Sequence, residues 1–275
     1  MLEAVGVITA LGAIFGTGLS LANKKFAVNT DPRIEKILAL LPGANCGSCG
    51  YPGCSGLAEA IVARKASVAP CIACTSDNRK KIAAIMGITG EIEENIELRK
   101  VPILSCNGNH ITAPKLFEYK GIKDCHLVAN FFAGPGRCNF GCLGFGSCVK
   151  ICPFGAISMG ENGLPQFDYS KCTGCGLCVQ QCPQKVITLV NANSKIHVKC
   201  NNRDKGKAAI LDCSVSCISC GICEKNCPTG AIKLREDSNG SIPVIDYSIC
   251  NECGLCVKNC PRHCIQIISL VKNKE

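Results

Sequence analysis

The sequence predicts an α+β chain of small, metal-dependent modules behind an N-terminal apolar helix, and three observations predict it. Twenty-six of its 275 residues are cysteine. Between residues 138 and 264 a glycine-rich cysteine cluster closed by Cys-Pro recurs four times, each copy with an isoleucine five residues after the Cys. Residues 4–22 are uncharged and apolar or small, while the whole chain has no Trp and few aromatics. So much cysteine means a disulfide scaffold or a metal protein. Pairs two residues apart in glycine-rich loops decide for reduced thiolates on metal, and hence for the reducing side of a membrane.

The first element is the apolar run, long enough to span a bilayer. Ser20-Leu21-Ala22 could pass for a signal cleavage site, but Glu3 stands where a signal peptide carries positive charge. Lys24 and Lys25 follow the run at once, which by the positive-inside rule leaves the bulk of the chain in the cytoplasm. Gly12 and Gly16 form a GxxxG suited to close packing against another membrane helix. Residues 1–23 are therefore expected to be a single-pass anchor in the cytoplasmic membrane of a prokaryote.

Residues 24–78 carry a second pattern. A helix over 31–41 leads into Asn45-Cys46-Gly47-Ser48-Cys49-Gly50-Tyr51-Pro52-Gly53-Cys54, and the Ala-rich stretch after Cys54 reads as a helix that returns the chain to Pro70-Cys71. Cys46, Cys49, Cys54 and Cys71 are expected to hold one cluster. Cys74 competes with Cys71, which is favoured for its place after the proline. Residues 79–137 read as a connection: a helix over Lys80 to Met86, an acidic solvated stretch from Glu91 to Glu97, and a strand over Val101 to Ser105 running into Cys106. A similar strand, Lys195 to Lys199, runs into Cys200, and 196–215 reads as a second connection.

Three of the repeats have the full spacing C-x2-C-x2-C-x3-C-P of the bacterial ferredoxin run, in which three close thiolates hold one [4Fe-4S] cube and the fourth ligates the other cube of the pair. They predict two ferredoxin-like modules, 138–195 and 216–275. Crossing the fourth ligands gives Cys172, Cys175, Cys178 and Cys152 on one cube. Cys217, Cys220, Cys223 and Cys260 hold another, and Cys250, Cys253, Cys256 and Cys227 a third. The first repeat departs from the rule: where a middle ligand is due stands Phe145, between Cys142 and Cys148. Cys138 is the nearest replacement, so Cys138, Cys142, Cys148 and Cys182 are expected on the remaining cube. A structural zinc protein is the rival for any single C-x2-C. Cys264 stands where other repeats have Ala or Val and reads as a core residue. Setting Cys74 aside leaves Cys106, Cys125, Cys200 and Cys213, by elimination a sixth cube between the modules.

The formal charge of +9 does not mark a nucleic-acid binder. Twenty-four thiolates on six oxidised cores of +2 each would turn it to −3, the longest basic run is Arg79-Lys80-Lys81, and no nucleic-acid-binding motif is recognisable. That run is a solvated helix face or a docking patch for an acidic redox partner. His110, His126, His197 and His263 are scattered and carry no catalytic spacing, so surface or hydrogen-bonded roles are expected. With no dinucleotide loop and no flavin-attachment motif, the chain reads as a wire for single electrons, its clusters holding the fold together.

The order of anchor, C-x2-C-x4-C-x16-C module, variant run and ferredoxin repeats, and above all residues 140–157 (FGCLGFGSCVKICPFGAI), resembles RnfB, the B component of the Rnf complex. The resemblance covers essentially the whole chain. It implies an electron-transfer subunit of a membrane-bound ferredoxin:NAD+ oxidoreductase that translocates Na+ or H+, with soluble ferredoxin and other membrane subunits as partners. A membrane-anchored polyferredoxin serving a different dehydrogenase or reductase is the alternative.

Overall fold

A computed structural model of the chain describes residues 2–26, 31–88, 99–130 and 133–270. Helix α1 (Leu2–Phe26) has Lys24 and Lys25 in its last turn. Its side chains Leu11, Ile14, Phe15, Leu19 and Leu21 are exposed. Side chains of residues 2–5, 7 and 8 fall outside the description. Among the described residues no helix is long and apolar enough to cross a membrane.

Three helices follow: α2 (Pro32–Leu40), α3 (Gly53–Val62) and α4 (Ser76–Ile85). The Asp31 carboxylate accepts from the Arg33 N–H at 2.9 Å and Pro32 sits at the first turn, where its missing N–H costs nothing. Thr75 caps α4 the same way, and the Asn78 side chain donates to the Leu40 carbonyl at 2.8 Å, satisfying an orphan group at the end of α2. Ile37, Leu57, Ile61 and Ile82 close into one core with Cys54, Cys71 and Cys74. The expected acidic stretch 91–97 lies outside the described residues.

Strand β1 (Lys100–Leu104) opens the first ferredoxin-like unit, followed by α5 (Cys125–Ala129), α6 (Ser147–Lys150), β2 (Ile157–Met159), β3 (Pro165–Phe167), α7 (Leu177–Gln180) and β4 (Ile187–Asn191). The second unit runs β5 (Ile196–Val198), α8 (Gly206–Asp212), α9 (Ile222–Lys225), β6 (Ile232–Asp237), β7 (Gly240–Ile245), α10 (Leu255–Lys258) and β8 (Ile265–Ile267). Strands β2–β3 and β6–β7 are antiparallel hairpins. Strand β1 pairs antiparallel with β4, Leu104 opposite Ile187, and β5 with β8, Val198 opposite Ile265.

The strands expected in connecting regions therefore belong to the modules. A closing strand needs an edge partner, and the hairpin strands already have each other. The one-turn helices α6, α7, α9 and α10 each start from a left-handed glycine, Gly146, Gly176, Gly221 and Gly254, which turns the cysteine loop into the helix without a Cβ clash. Val101, Ile103, Val190 and Leu270 are buried together, with Tyr169 and Tyr247 packed on them, so apolar contact joins the two units.

Candidate iron–sulfur centres

In the N-terminal module, the left-handed Asn45 turns its side chain to accept the Cys54 N–H at 2.7 Å, fixing the loop to the start of α3. Cys49, Cys54 and Cys71 gather on the helical core, and Cys46 is half-buried on the same loop. Burial pushes the Cys71 thiol up, and the nearby Cys49 and Cys54 sulfurs add to it. Cys74 is buried too, raised by burial and then by Cys71 and Cys54, with its thiol toward the Leu40 carbonyl. Arg79 of the basic run donates to the Cys71 carbonyl at 2.9 Å. That arginine is turned onto its own module.

In the first ferredoxin unit, Cys178 is raised to about 12, chiefly by burial and then by its neighbours Cys172, Cys175, Cys148 and Cys152. Cys152 thus stands with the run 172–178. The Gly174 N–H points at Cys172 Sγ (3.4 Å). In the second unit Cys217, Cys220, Cys223, Cys260 and Cys264 line a hollow with about 370 Å³ of space in and around it, open solvent included. Cys256 is raised by burial, with Cys250 and Cys227 beside it. The cysteine before each proline thus lies beside the other run of its own unit: Cys182 and Cys260 by the first runs, Cys152 and Cys227 by the second.

The variant first run departs from expectation. The hollow equivalent to that of the second unit, again with about 370 Å³ in and around it, is lined by Cys125, Cys142, Cys148 and Cys182, and Cys138 does not reach it. Cys138 turns instead toward Cys106, Cys200 and Cys213, which line a separate, larger space. Cys125 and Cys138 have exchanged the places that proximity in sequence suggested. The cause lies in the segment that carries Cys125. Asp124 caps α5, accepting from the His126 and Leu127 N–H groups, and Ser147 of α6 donates to Asp124 at 3.0 Å while accepting the Cys125 N–H at 2.8 Å. Tyr119 of the same segment packs edge-on against Phe145, the residue in the vacated ligand position, with ring centroids 5.5 Å apart. The chain folds back and delivers Cys125 where Phe145 cannot serve.

Cys264 is buried as expected, yet it does more than fill space. Its thiol points at the Val215 and Arg262 carbonyls, 3.4 and 3.6 Å away, while its backbone N–H reaches Cys260 Sγ at 3.4 Å; the neighbouring thiol holds Cys200, Cys217 and Cys260 below the ordinary thiol range and is itself held up by them. His197 is fully buried, its Nε2–H donating to the Ser194 carbonyl at 2.9 Å, which leaves Nδ1 to accept at 3.0 Å from Tyr247.

The donors fit [4Fe-4S] rather than single ions. Among the described residues, no three His, Cys, Asp or Glu side chains converge closely enough to hold one metal ion, whereas zinc needs its sulfurs all about 2.3 Å from a point. The thiols ring spaces instead. Ser48 Oγ and Thr173 Oγ1, buried in the loops between ligands, lack a protein partner, as groups facing a cluster would.

Comparison with known proteins gives the family. The B component of the Na+-translocating ferredoxin:NAD+ oxidoreductase complex of Acetobacterium woodii is 43% identical over 265 residues, 96% of this chain and 77% of that one. The B component of the proton-translocating ferredoxin:NAD+ oxidoreductase complex of Clostridium ljungdahlii is 44% identical over 89% of this chain and 84% of its own. The chain belongs to the RnfB family. The B component of an ion-translocating oxidoreductase complex from Methanosarcina acetivorans is also similar, 38% identical over 86% of this chain and 88% of its own. Within the chain, a family described as "Putative Fe-S cluster" matches residues 41–73, taking in Cys71 and ending one residue before Cys74. A "4Fe-4S binding domain" matches 165–188 and a "4Fe-4S dicluster domain" 216–264. The chain is thus a carrier of several [4Fe-4S] clusters.

Proposed function

We propose that the chain is the multi-cluster electron-transfer subunit of a membrane-bound ferredoxin:NAD+ oxidoreductase that translocates Na+ or H+, taking electrons from reduced ferredoxin and passing them to partner subunits. The observation that carries this reading is the pair of similar cysteine-lined hollows at equivalent places in the two units, one lined by Cys125, Cys142, Cys148 and Cys182, the other by Cys217, Cys220, Cys223 and Cys260 with Cys264 beside them. The geometry supports five [4Fe-4S] clusters. Their ligands are Cys46, Cys49, Cys54 and Cys71; Cys125, Cys142, Cys148 and Cys182; Cys152, Cys172, Cys175 and Cys178; Cys217, Cys220, Cys223 and Cys260; and Cys227, Cys250, Cys253 and Cys256. Each bound cube supplies reversible one-electron chemistry at a potential set by hydrogen bonds to sulfur and by burial.

The chain's own part is to hold that chemistry in line. The buried thiols would bind iron as thiolates, their protons released to solvent. Backbone N–H groups at Cys172, Cys217 and Cys260 then stabilise the charged sulfurs. Cys220 and Cys253 are exposed, which makes the second unit the entry for soluble ferredoxin. Helix α1 is the proposed anchor on sequence grounds, because residues 4–22 within it are uncharged and apolar or small, and its terminal lysines favour a cytoplasmic soluble part. The Cys46–Cys71 module, next after the anchor, delivers electrons to the membrane subunits. A membrane-anchored polyferredoxin for another reductase remains the second reading, and co-purifying subunits separate the two. The test is Cys46→Ser in the assembled complex: most iron stays bound while ferredoxin-linked NAD+ reduction stops. Unchanged NAD+ reduction refutes the route.

A further inference from the structure

Outside the five sites, one group of cysteines repeats the architecture of a ligand set. Cys106 follows β1 as Cys200 follows β5: the Ser105 N–H donates to the Val186 carbonyl at 2.7 Å and the Lys199 N–H to the equivalent Cys264 carbonyl, also at 2.7 Å. Cys138 precedes Cys142 by four residues, as Cys213 precedes Cys217. Each unit therefore contributes one cysteine from the end of its first strand and one from the approach to its first run.

Their sulfurs are dressed as ligand sulfurs are. Cys106 Sγ accepts the Cys142 N–H at 3.4 Å and Cys200 Sγ the equivalent Cys217 N–H at 3.2 Å. Cys200 Sγ also takes the Asn202 N–H at 3.4 Å, the same two-residue reach by which Gly174 serves Cys172 and Ser219 serves Cys217.

All four thiols line one cavity with about 990 Å³ of empty space. A Cβ on Gly108 would stand 3.1 Å from Cys213 Sγ and 3.9 Å from Cys106 Sγ, and one on Gly141 would stand 3.7 Å from Cys138 Sγ and 3.8 Å from Cys106 Sγ. Single carbon positions thus touch thiols from different segments. The cavity wall holds Lys199 and no described carboxylate, and the buried Asn202 side-chain amide in that wall has no partner. A buried amide donor and a cation suit a group of net negative charge.

We propose that Cys106, Cys138, Cys200 and Cys213 hold a further [4Fe-4S] cluster in the seam between the two units, with Lys199 as its counter-cation. The proposal rests on the reading that the flanking cavities hold clusters. The site abuts both: Cys142 lines this cavity and its neighbour, and the Cys217 N–H reaches Cys200. It joins the units for single-electron passage, one electron leaving a reduced cluster on one side as one arrives at an oxidised cluster on the other, with no bond made or broken.

The test is iron and acid-labile sulfide per chain, with Mössbauer spectra, on the anaerobically purified full-length protein and its variants. Wild type should carry about 24 irons as six cubes. Cys138→Ser and Cys200→Ser should each lose about four, and the double variant the same four, because both belong to one cube. Cys125→Ser paired with Cys138→Ser should lose about eight. As a fold-neutral arm, Lys199→Met should keep all its iron while one component of a redox titration moves to lower potential. About 20 irons in wild type with Cys138→Ser losing none overturns this site and leaves the five-cluster reading standing. If Cys138→Ser and Cys125→Ser empty the same cube, the assignment also falls. Little iron with stoichiometric zinc would overturn the function itself.

Discussion

Replacing Ser147 with alanine should loosen one cluster and leave the others alone. Ser147 is 2% exposed, and its hydroxyl satisfies the Cys125 N–H at 2.8 Å while donating to the Asp124 carboxylate at 3.0 Å. Alanine removes the acceptor and fills no new space. The orphaned Cys125 amide costs ~1–3 kcal/mol, since a part-buried donor loses its partner without regaining full hydration. Because that cost falls on the segment presenting a ligand, retention of this cube should weaken by roughly 10- to 100-fold, the usual scale for losing a group that orients a metal ligand. The assay is iron release to a chelator under anaerobic conditions, followed by the bleaching of visible absorbance. A fast phase of about one cube's iron should appear in Ser147→Ala, with the remainder released at the wild-type rate. A release curve superimposable on wild type would refute the placement of Cys125, and uniform acceleration of all iron would show a global fold defect instead.

Leu57→Ala should cost ~2–5 kcal/mol, because Leu57 is 1% exposed in the core shared with Cys54 and Cys71; thermal unfolding and iron loss from that module should move together. Gly174→Ala should empty the site of Cys152, Cys172, Cys175 and Cys178 first. A Cβ there meets the Lys100 carbonyl, and the residue's φ of +75° strains any L side chain; site-resolved Mössbauer spectra check it. His197 sets a pH dependence: burial holds its pKa below the ordinary histidine value. The neutral ring's contribution is present above the unfolded pKa of about 6.5 and is lost as pH falls from there through the lower folded value. The melting temperature should drop from pH 7.5 to pH 5.5 in wild type and drop less in His197→Gln.

Much of this was legible in the sequence, for reasons of chemistry. The spacing of a ferredoxin run is dictated by the cube it wraps, so Cys172 to Cys182 and Cys217 to Cys260 could be read directly. The helix after Cys54 was legible from its apolar face. The ligand that replaces Phe145 was not, because the segment that carries Cys125 returns it to α6 through Ser147 and Asp124, contacts between residues more than 20 apart. Proximity along the chain favoured Cys138, whose side chain the structure places beside Cys106, Cys200 and Cys213. A signal did exist: Cys138 keeps the same four-residue distance to its run as Cys213, so the two belong to equivalent positions. The assignment of β1 and β5 to the modules was hidden for a similar reason, since strand pairing is non-local and a five-residue apolar run names no partner. Nor could spacing show that the Cys264 backbone N–H reaches Cys260 Sγ, since its repeat position elsewhere holds alanine or valine.

The central claim is that the chain is a [4Fe-4S] wire fed by ferredoxin, and the most direct test is anaerobic titration of the full-length, iron-loaded protein with reduced ferredoxin, read by EPR at low temperature. The account predicts stepwise reduction of several cubes, with S = ½ signals of reduced [4Fe-4S] growing and broadening as neighbouring clusters couple. A protein that carries its iron yet takes no electrons from reduced ferredoxin, while dithionite reduces it fully, would contradict the account.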